Sequence, residues 1–318
     1  MNGTTVTTAQ SPDKKPLIAV VGATCVGKTN AAIRLARHVD GEVISADSRY
    51  LYRGMDIGTA TPTEAEMEDV PHHLISFLDP TDEYSLTLYQ RDAYRAIADV
   101  HARGRVPILA GGTPLYVNAL LEGWRIPEVP PDTEFRAAME HLAHLEGVES
   151  LHEHLVKVDP AAAERIPPTN VRRVIRALEI HRATGQRMTD IEGKSPPPYR
   201  VLRIGLTLPR EELYQRIDAR VEDQITQGLL EETRALVDAG VAPNAPAMSA
   251  IGYPEMVDVI RGRMDLGEAI ERIKFHTHRY ARHQTTWLRR MRDVIWFDPD
   301  EKDWFDRMIR IAEQFLAE

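Results

Sequence analysis

The feature that most constrains the fold is a glycine-rich turn between a short apolar strand and a helix. The run LIAVV (17–21) is β-branched and apolar, and the turn GATCVGKT (22–29) follows it directly. Apolar residues then recur at helical spacing up to about His38. The turn fits the pattern G-x-x-x-x-G-K-[ST], in which a strand enters a phosphate-binding loop that opens a helix. We therefore expect a parallel sheet with helices on its faces.

The residues of this turn are suited to holding a diphosphate or a triphosphate. They are Gly22, Ala23, Thr24, Cys25, Val26, Gly27, Lys28 and Thr29. Glycines let backbone N–H groups turn inward around an anion, and the helix N-terminus adds a partial positive charge. Lys28 adds a full charge, and the Thr29 hydroxyl is the expected ligand of a Mg²⁺ ion, which is the one cofactor that we expect.

Strand and helix patterns alternate along most of the chain. Further strands are expected at 42–46, 106–110, 201–208 and 294–297, and long helices at 85–103, 210–239 (broken near Gly228) and 264–292. Residues 53–84 have scattered Gly, Pro and acidic residues and are expected to be irregular. The fold class that follows is α/β, a P-loop NTPase-like parallel sheet flanked by helices.

Two proline-rich segments, 126–132 and 195–198, indicate where the chain changes character. The sequence between them predicts several short helices and no strand. We expect a disordered tail at 1–15, an α/β core at 16–124 and 200–300, an all-helical insertion at 125–199 and a C-terminal helix at 301–318.

The composition is that of an ordinary globular protein with an uneven charge distribution. Lys and Arg number 39 and Asp and Glu 48, a formal net charge of −9, and the single cysteine excludes an internal disulfide. Residues 272–292 nevertheless hold seven basic side chains and no acid, and residues 165–187 hold six Arg and one Glu. Two such runs on an acidic chain favour a focused site for a polyanion. With neither a secretion signal nor a membrane-spanning run, we expect a cytoplasmic protein without membrane contact.

A carboxylate is predicted beside the phosphate-binding loop. Asp47 follows the second strand, whereas the strand 106–110 enters Gly111-Gly112-Thr113 without the acid that a typical P-loop NTPase places there for Mg²⁺. Ligands of open α/β sheets lie at the carboxyl ends of the strands, so Asp47 is expected to face the ligand of the loop. A diphosphate ligand is therefore favoured over a nucleoside triphosphate.

At this level of detail the chain resembles the bacterial tRNA dimethylallyltransferases from about residue 17 to residue 297. The blocks that carry the resemblance, in chain order, are GATCVGKT, DSRYLYRGMDIGTATP, AGGTPLYVNALLEG, RRVIRALEIHRATG, SAIGYPE and RHQTTWLRR. The resemblance implies transfer of a dimethylallyl group from dimethylallyl diphosphate to the N6 amine of the adenosine at tRNA position 37, just 3′ of the anticodon. It also implies that tRNA is the macromolecular partner, and we expect the enzyme to act as a monomer.

The resemblance assigns roles to individual residues. Asp47 would take the proton of the amine, Arg220 would reach the diphosphate, and Thr113 would lie near the target base. Residues that match tRNA-contacting positions of the family are Asp47, Ser48, Arg49, Tyr50, Thr113, Arg136, Arg172, Arg173, Val174, Ile175, Arg176, Ser249, Ala250, Ile251, Gly252, Tyr253, Pro254, Arg282, His283, Gln284, Thr285, Thr286, Trp287, Leu288 and Arg289. Tyr50 departs from the family signature, in which Gln is common.

Three other functions remain open from the sequence. A small-molecule P-loop kinase explains the loop and the core, but neither Asp47 nor the two basic runs. An adenylate isopentenyltransferase shares the loop and the acid but needs no basic helices. A non-catalytic RNA-binding module explains the basic runs alone.

Overall fold

The computed structural model describes residues 14–195 and 197–318. It divides into two compact units, one formed by the chain up to Val117 together with Pro198–Glu318, the other by Asn118–Pro197. The expected tail at 1–15 lies outside the described residues up to residue 13, and Lys15 already belongs to the first strand. The division falls at Val117, within the helix Pro114–Leu121, whereas the sequence predicted a boundary at residue 124.

The helices and strands follow one another along three parts of the chain. The first part contains β1 (Lys15–Gly22), α1 (Lys28–Val39), β2 (Gly41–Ser45), α2 (Asp56–Thr59), α3 (Glu64–Met67), β3 (His72–His73), α4 (Leu86–Ala102), β4 (Val106–Gly111) and α5 (Pro114–Leu121). The middle part contains β5 (Trp124–Arg125), α6 (Thr133–Glu146), α7 (Val148–Val158), α8 (Pro160–Arg165), α9 (Val171–Thr184), α10 (Met188–Ile191) and β6 (Gly193–Lys194). The last part contains β7 (Tyr199–Leu206), α11 (Arg210–Gln227), α12 (Leu229–Asp238), a 3₁₀ turn (Ala247–Ser249), α13 (Tyr253–Ile260), α14 (Leu266–Leu288), β8 (Val294–Phe297) and α15 (Trp304–Ala317).

The first unit is built on one parallel sheet of six strands in the order β3-β2-β4-β1-β7-β8. The run Leu17–Val21 of β1 is fully buried at the centre of this sheet, as expected for an apolar strand covered on both faces. The predicted α/β class with a parallel sheet and flanking helices is confirmed.

The second unit is helical, with its own apolar core. Leu151, Leu155, Val174 and Ile175 belong to this core. Two-residue strands β5 and β6 form an antiparallel pair in this unit, which the sequence did not predict.

Two predictions of local structure were incomplete. The segment 53–84 contains the helical turns α2 and α3 and the edge strand β3, and is therefore only partly irregular. Helix α13 was not predicted, because its eight residues are too short to show a clear period.

A buried carboxylate in the first unit gives the fold a predicted sensitivity to acid. Glu42 of β2 is almost completely buried and accepts hydrogen bonds from Arg103 at 2.6 and 2.9 Å, with His73 and Arg105 also in contact. The hydrogen bonds from Arg103 lower the pKa of Glu42 from 4.5 to about 2. The charged carboxylate is thus favoured in the folded state, so its stabilisation is complete above pH 4.5 and is lost as the pH falls towards 2.

We expect the free energy of unfolding to drop by on the order of 3 kcal/mol over this range through Glu42. Denaturant unfolding of the wild type and of Glu42→Gln at pH 7 and pH 3 tests this. The variant should be less stable at pH 7 and should show a smaller pH dependence, and an equal dependence in both proteins would contradict the assignment.

Candidate active site

The carboxyl ends of β1, β2 and β4 bring together three sequence-distant segments, as expected at this edge of an open α/β sheet. They are the loop Gly22–Thr29, the residues after Ser45 and the turn after Gly111. A cavity of about 390 Å³ lies at this edge, which we call the P-loop cavity. Its lining residues are Thr24, Cys25, Gly27, Lys28, Thr29, Asn30, Ile33, Asp47, Tyr50, Thr59, Ala60, Pro62, Glu66, Glu68, Arg216 and Arg220.

The loop that borders this cavity has free backbone donors. Within the described residues, the N–H groups of Cys25, Val26 and Gly27 have no protein acceptor. Gly27 has a φ of 97° and Cys25 a φ of 63°, so the backbone turns through left-handed conformations before it enters α1. Consecutive unpaired N–H groups in such a turn form an anion-binding concavity. The geometry is that of a loop prepared for phosphate oxygens.

Lys28 is half-buried beside this loop, with no carboxylate in ion-pair contact among the described residues. Its Nζ donates to the Ala23 carbonyl at 2.6 Å. Burial lowers the pKa of Lys28 from 10.5 to about 8, and the Asp47 carboxylate opposes this while Arg220 adds to it. A bound anion would supply the missing negative charge and favour the protonated amine.

Asp47 has one oxygen fixed and one oxygen free. Its Oδ1 accepts the Arg49 N–H at 2.9 Å, and its own N–H donates to the Ser45 hydroxyl at 3.2 Å. In the part of the chain that the structure describes, Oδ2 has no hydrogen-bond partner. The carboxylate is thus oriented by its own turn and lines the cavity with an unoccupied acceptor.

Thr113 holds the turn that carries Asp47. The Ser48 N–H donates to Thr113 Oγ1 at 3.0 Å, and the same hydroxyl contacts the Ser48 hydroxyl at 3.3 Å. The adjoining glycine is required here, because a Cβ on Gly111 would lie 2.3 Å from the backbone of Ala46. The turn after β4 therefore positions Asp47 through Ser48.

Arg220 and Tyr50 complete the wall of the cavity. Arg220 Nη1 lies 3.4 Å from both Thr24 Oγ1 and Cys25 Sγ, at the tip of the loop. Burial raises the pKa of Tyr50, as does the Asp47 charge. The structure thus brings Lys28, Thr29, Asp47, Tyr50 and Arg220 into one cavity, as the sequence predicted for a shared site.

Gln284 connects the loop to the turn after β4. It is buried, its Oε1 accepts the Thr24 N–H at 2.8 Å, and its Nε2 donates to the Gly112 carbonyl at 2.8 Å. A Cβ on Gly112 would lie 2.6 Å from this Nε2. Gln284 is among the residues predicted to contact tRNA, and in this structure its side chain positions the loop.

The wall formed by Thr59 and Ala60 is held by Glu232, a residue that the sequence analysis missed. Glu232 accepts the N–H groups of Asp56, Ile57 and Gly58 at 2.8–2.9 Å. It also accepts the Tyr253 hydroxyl at 2.7 Å. A charged acceptor at the N-terminus of α2 satisfies three donors that the short helix leaves unpaired. No local pattern in the sequence indicates a partner 174 residues away.

We expect Glu232→Gln to disturb this wall. The amide would place a donor against backbone donors, so α2 would shift and the ligand of the P-loop cavity would bind about tenfold more weakly. Steady-state kinetics should show a higher KM for the small substrate with a similar KM for the large one. The control is Glu231→Gln, an exposed neighbour; equal effects of both variants would contradict this role.

The segment 249–254 is mainly internal. Ala250, Gly252 and Tyr253 are buried, and a Cβ on Gly58 would strike the Tyr253 ring at 2.5 Å. The tRNA contacts of these three residues stay predictions, and the Tyr253 ring packs against α2. Ser249 and Pro254 are exposed and Ile251 is half-buried, and the Ser249 hydroxyl accepts from Arg49 at 3.2 Å.

Residues 282–289 lie on different sides of α14, some exposed and some buried. Arg282, His283, Thr286 and Arg289 are exposed, Thr285 and Trp287 are half-buried, and Leu288 is buried in the first unit. The side chain of Leu288 therefore serves packing, whereas the exposed members form a basic surface. Helix periodicity explains this split.

The basic run of the helical unit divides in the same way. Arg172 and Arg173 are exposed on α9, while Val174 and Ile175 are buried in the core and cannot reach a ligand. Arg136 and Arg176 both donate to the buried carboxylate of Glu179, at 2.8 Å and 2.6 Å. The tRNA contact predicted for this segment is therefore left to its exposed arginines, since the side chains of Val174 and Ile175 serve packing.

No group of three or more His, Cys, Asp and Glu side chains suited to a metal occurs in the described ranges. A cation would instead find the Thr29 hydroxyl and Asp47 in the P-loop cavity, oxygen ligands of the kind that Mg²⁺ prefers together with phosphate and water. Within the same ranges, no helix has the length and apolar content to cross a membrane.

Comparisons with known proteins agree with this site. The family described as IPP transferase matches residues 50–291, and the family described as isopentenyl transferase matches residues 15–76. A tRNA dimethylallyltransferase of Thermomicrobium roseum is 60% identical over 305 residues, which cover 96% of this chain and 93% of the relative. The tRNA isopentenylpyrophosphate transferase of Bacillus halodurans is 44% identical in structure-based comparison, with a TM-score of 0.71 and 96% of each chain covered.

A second solved structure is a eukaryotic dimethylallyltransferase acting on tRNA. It is 28% identical, with a TM-score of 0.80, and the match covers 95% of this chain and 80% of the other. Because the match extends over nearly the whole chain and includes the loop, Asp47 and the turn at Thr113, this chain belongs to the IPP transferase family.

Proposed function

We propose that the protein transfers a dimethylallyl group from dimethylallyl diphosphate to the N6 amine of adenosine 37 in tRNA. The single observation that carries this proposal is the P-loop cavity, in which anion-binding N–H groups and the free Oδ2 of Asp47 face the same space. It rests also on the names of the relatives, which act on tRNA. A protein with this substrate is expected to work in the cytoplasm.

The donor diphosphate would bind to the loop. The N–H groups of Cys25, Val26 and Gly27, the ammonium of Lys28 and the guanidinium of Arg220 converge there. As the allylic C–O bond breaks, its electron pair leaves with the diphosphate, and these fixed donors stabilise the growing negative charge. All of these groups come from one chain, which is consistent with a monomer.

The acceptor amine would approach Asp47. The nitrogen lone pair forms the new C–N bond, and one N6 proton passes to Oδ2 of Asp47 and then to water. An adenine amine is a weak nucleophile, so a positioned base contributes about 10²–10⁴-fold. The hydrogen bond from Arg49 N–H to Oδ1 keeps the carboxylate pointing at the cavity.

A Mg²⁺ ion would be held by the Thr29 hydroxyl with oxygens of the diphosphate and water. It would neutralise part of the diphosphate charge, as in other phosphate-binding loops. Tyr50 lines the same cavity as Thr29.

The tRNA would be held by surface cations of both units. Four of the arginines predicted to contact tRNA are exposed and have no carboxylate partner in the described residues, namely Arg172, Arg173, Arg282 and Arg289. Single-stranded loops are the natural target because their bases swing out at low cost. The basic helices are what favours tRNA over a free adenine nucleotide as the acceptor.

Mass spectrometry of nucleosides tests the proposal. A tRNA with adenosine at position 37 is incubated with the protein and dimethylallyl diphosphate, with AMP present at equal concentration. We expect N6-dimethylallyladenosine in the digested tRNA and none in the AMP pool. Prenylation of AMP alone would favour an adenylate isopentenyltransferase, and phosphate transfer from labelled ATP without prenylation would favour a kinase.

A further inference from the structure

A second cavity lies beside the phosphate-binding loop and is not used by the proposed reaction. Its volume is about 500 Å³, and we call it the arginine cavity. Its lining residues are Ala23, Val26, Leu206, Thr207, Leu208, Arg210, Leu213, Tyr214, Ala281, Arg282, Thr285, Thr286, Leu288, Arg289 and Trp296. No acidic residue is among them. The lining therefore combines cations, aromatic rings and an apolar floor.

Three arginines of this cavity have no counter-charge. Arg210, Arg282 and Arg289 are exposed and form no ion pair with any carboxylate in the described parts of the chain. Arg210 and Arg282, from two different helices, both donate to the Tyr214 hydroxyl, at 3.2 and 2.9 Å. Two guanidinium groups held on one neutral oxygen repel each other unless an anion joins them.

The two arginines change the pKa of the Tyr214 hydroxyl. Burial raises the pKa of Tyr214, but the hydrogen bonds from Arg282 and Arg210 outweigh it and leave the pKa below 10. Its ring also stacks on His278, with centroids 4.0 Å apart and planes 9° apart. The phenol is thus a rigid support that keeps the two arginines together.

Trp296 supplies an exposed aromatic ring on the same cavity. The ring packs against Gly205, where a Cβ would lie 2.4 Å from it, and 38% of the residue remains accessible. Exposed aromatic rings beside arginines are the arrangement on which nucleic-acid bases stack. Trp287, which is among the residues predicted to contact tRNA, does not line this cavity.

The arginine cavity and the P-loop cavity share one loop. Ala23 and Val26 line the first, whereas Thr24, Cys25 and Gly27 line the second. An RNA strand whose target base enters the P-loop cavity therefore passes within reach of the arginine cavity. A phosphate joined to a flat base is the ligand that matches clustered arginines next to a ring.

We propose that the arginine cavity holds a second nucleotide of the acceptor RNA, with its phosphate at Arg210, Arg282 and Arg289 and its base on Trp296. This inference rests on the proposed function, and it adds Arg210, Tyr214 and Trp296 to the RNA-binding residues. The cavity acts in binding and orientation of the RNA and takes no part in the bond changes.

The test measures binding of an anticodon stem-loop by fluorescence anisotropy over a range of salt concentrations, without donor. Arg210→Gln should weaken binding roughly tenfold and reduce the slope of log K against log salt by about 0.7–0.9, as expected for one lost phosphate contact. Trp296→Leu should weaken binding about fivefold or more with an unchanged salt slope, because stacking is not ionic. The matched control is Arg310→Gln, an exposed arginine of α15 that lines neither cavity.

Melting temperatures equal to that of the wild type show that the variants are folded. The inference would be overturned if Arg210→Gln bound the stem-loop as tightly as Arg310→Gln. It would also be overturned if a free 5′-nucleoside monophosphate bound to the arginine cavity without lowering the affinity for the stem-loop. A wild type that binds RNA but transfers no prenyl group would instead overturn the proposed function.

Discussion

Asp47→Asn is expected to lower kcat by about 10²–10⁴-fold, with the affinity for tRNA unchanged. The amide retains an oxygen for the Arg49 N–H, so the turn that Asp47 forms should persist. What the variant loses is the free Oδ2 acceptor that takes the amine proton. The effect should therefore appear in kcat and only weakly in either KM.

Glu66→Gln is the matched control for this variant. Glu66 is a carboxylate that lines the same cavity, but its side chain is engaged in the cap of α3 with Thr63. Single-turnover rates of both variants at saturating substrates check the prediction. Comparable losses would mean that cavity charge, and not a positioned base, explains the effect.

Lys28→Met is expected to lower kcat/KM for the donor by about 10²–10³-fold, the loss typical of a removed electrostatic stabiliser. Its half-buried ammonium donates to the Ala23 carbonyl, and the residue lines the P-loop cavity. Methionine has a similar length and no charge, so the loop should keep its shape. The affinity for tRNA, measured without donor, should not change.

The pH dependence of donor binding gives an independent check on Lys28. Because burial lowers the pKa of Lys28 to about 8, the free enzyme loses this charge as the pH rises through 8. A bound diphosphate favours the protonated form, so the bound-state pKa is higher. The donor KM should be nearly constant from pH 7 to 8 and rise up to tenfold per pH unit above it. A KM that rises equally in Lys28→Met would contradict this assignment.

The sequence was sufficient for features carried by contiguous residues. The strand, the loop and the start of α1 lie within 25 residues, and their pattern determines one local conformation. Asp47 was predictable because the carboxyl ends of parallel strands meet at one edge of the sheet. The parallel sheet followed from the alternation of strands and helices.

Features that depend on distant partners were not predictable. Gln284 contacts Thr24 across 260 positions, and Glu232 contacts α2 across more than 170. Their side-chain types carry no signal of these roles. For the same reason the sequence did not show which residues of the predicted tRNA-contacting segments are buried. Val174, Ile175, Tyr253 and Leu288 face apolar cores. Only the packing of the helices decides which side of such a block is exposed.

A crystal structure with a thio-linked donor analogue and an anticodon stem-loop tests the central claim most directly. The account predicts the diphosphate on the N–H groups of Cys25, Val26 and Gly27, and Oδ2 of Asp47 within about 3 Å of the N6 nitrogen. A diphosphate bound elsewhere, or an Asp47 carboxylate turned away from N6 with another base in its place, would contradict it.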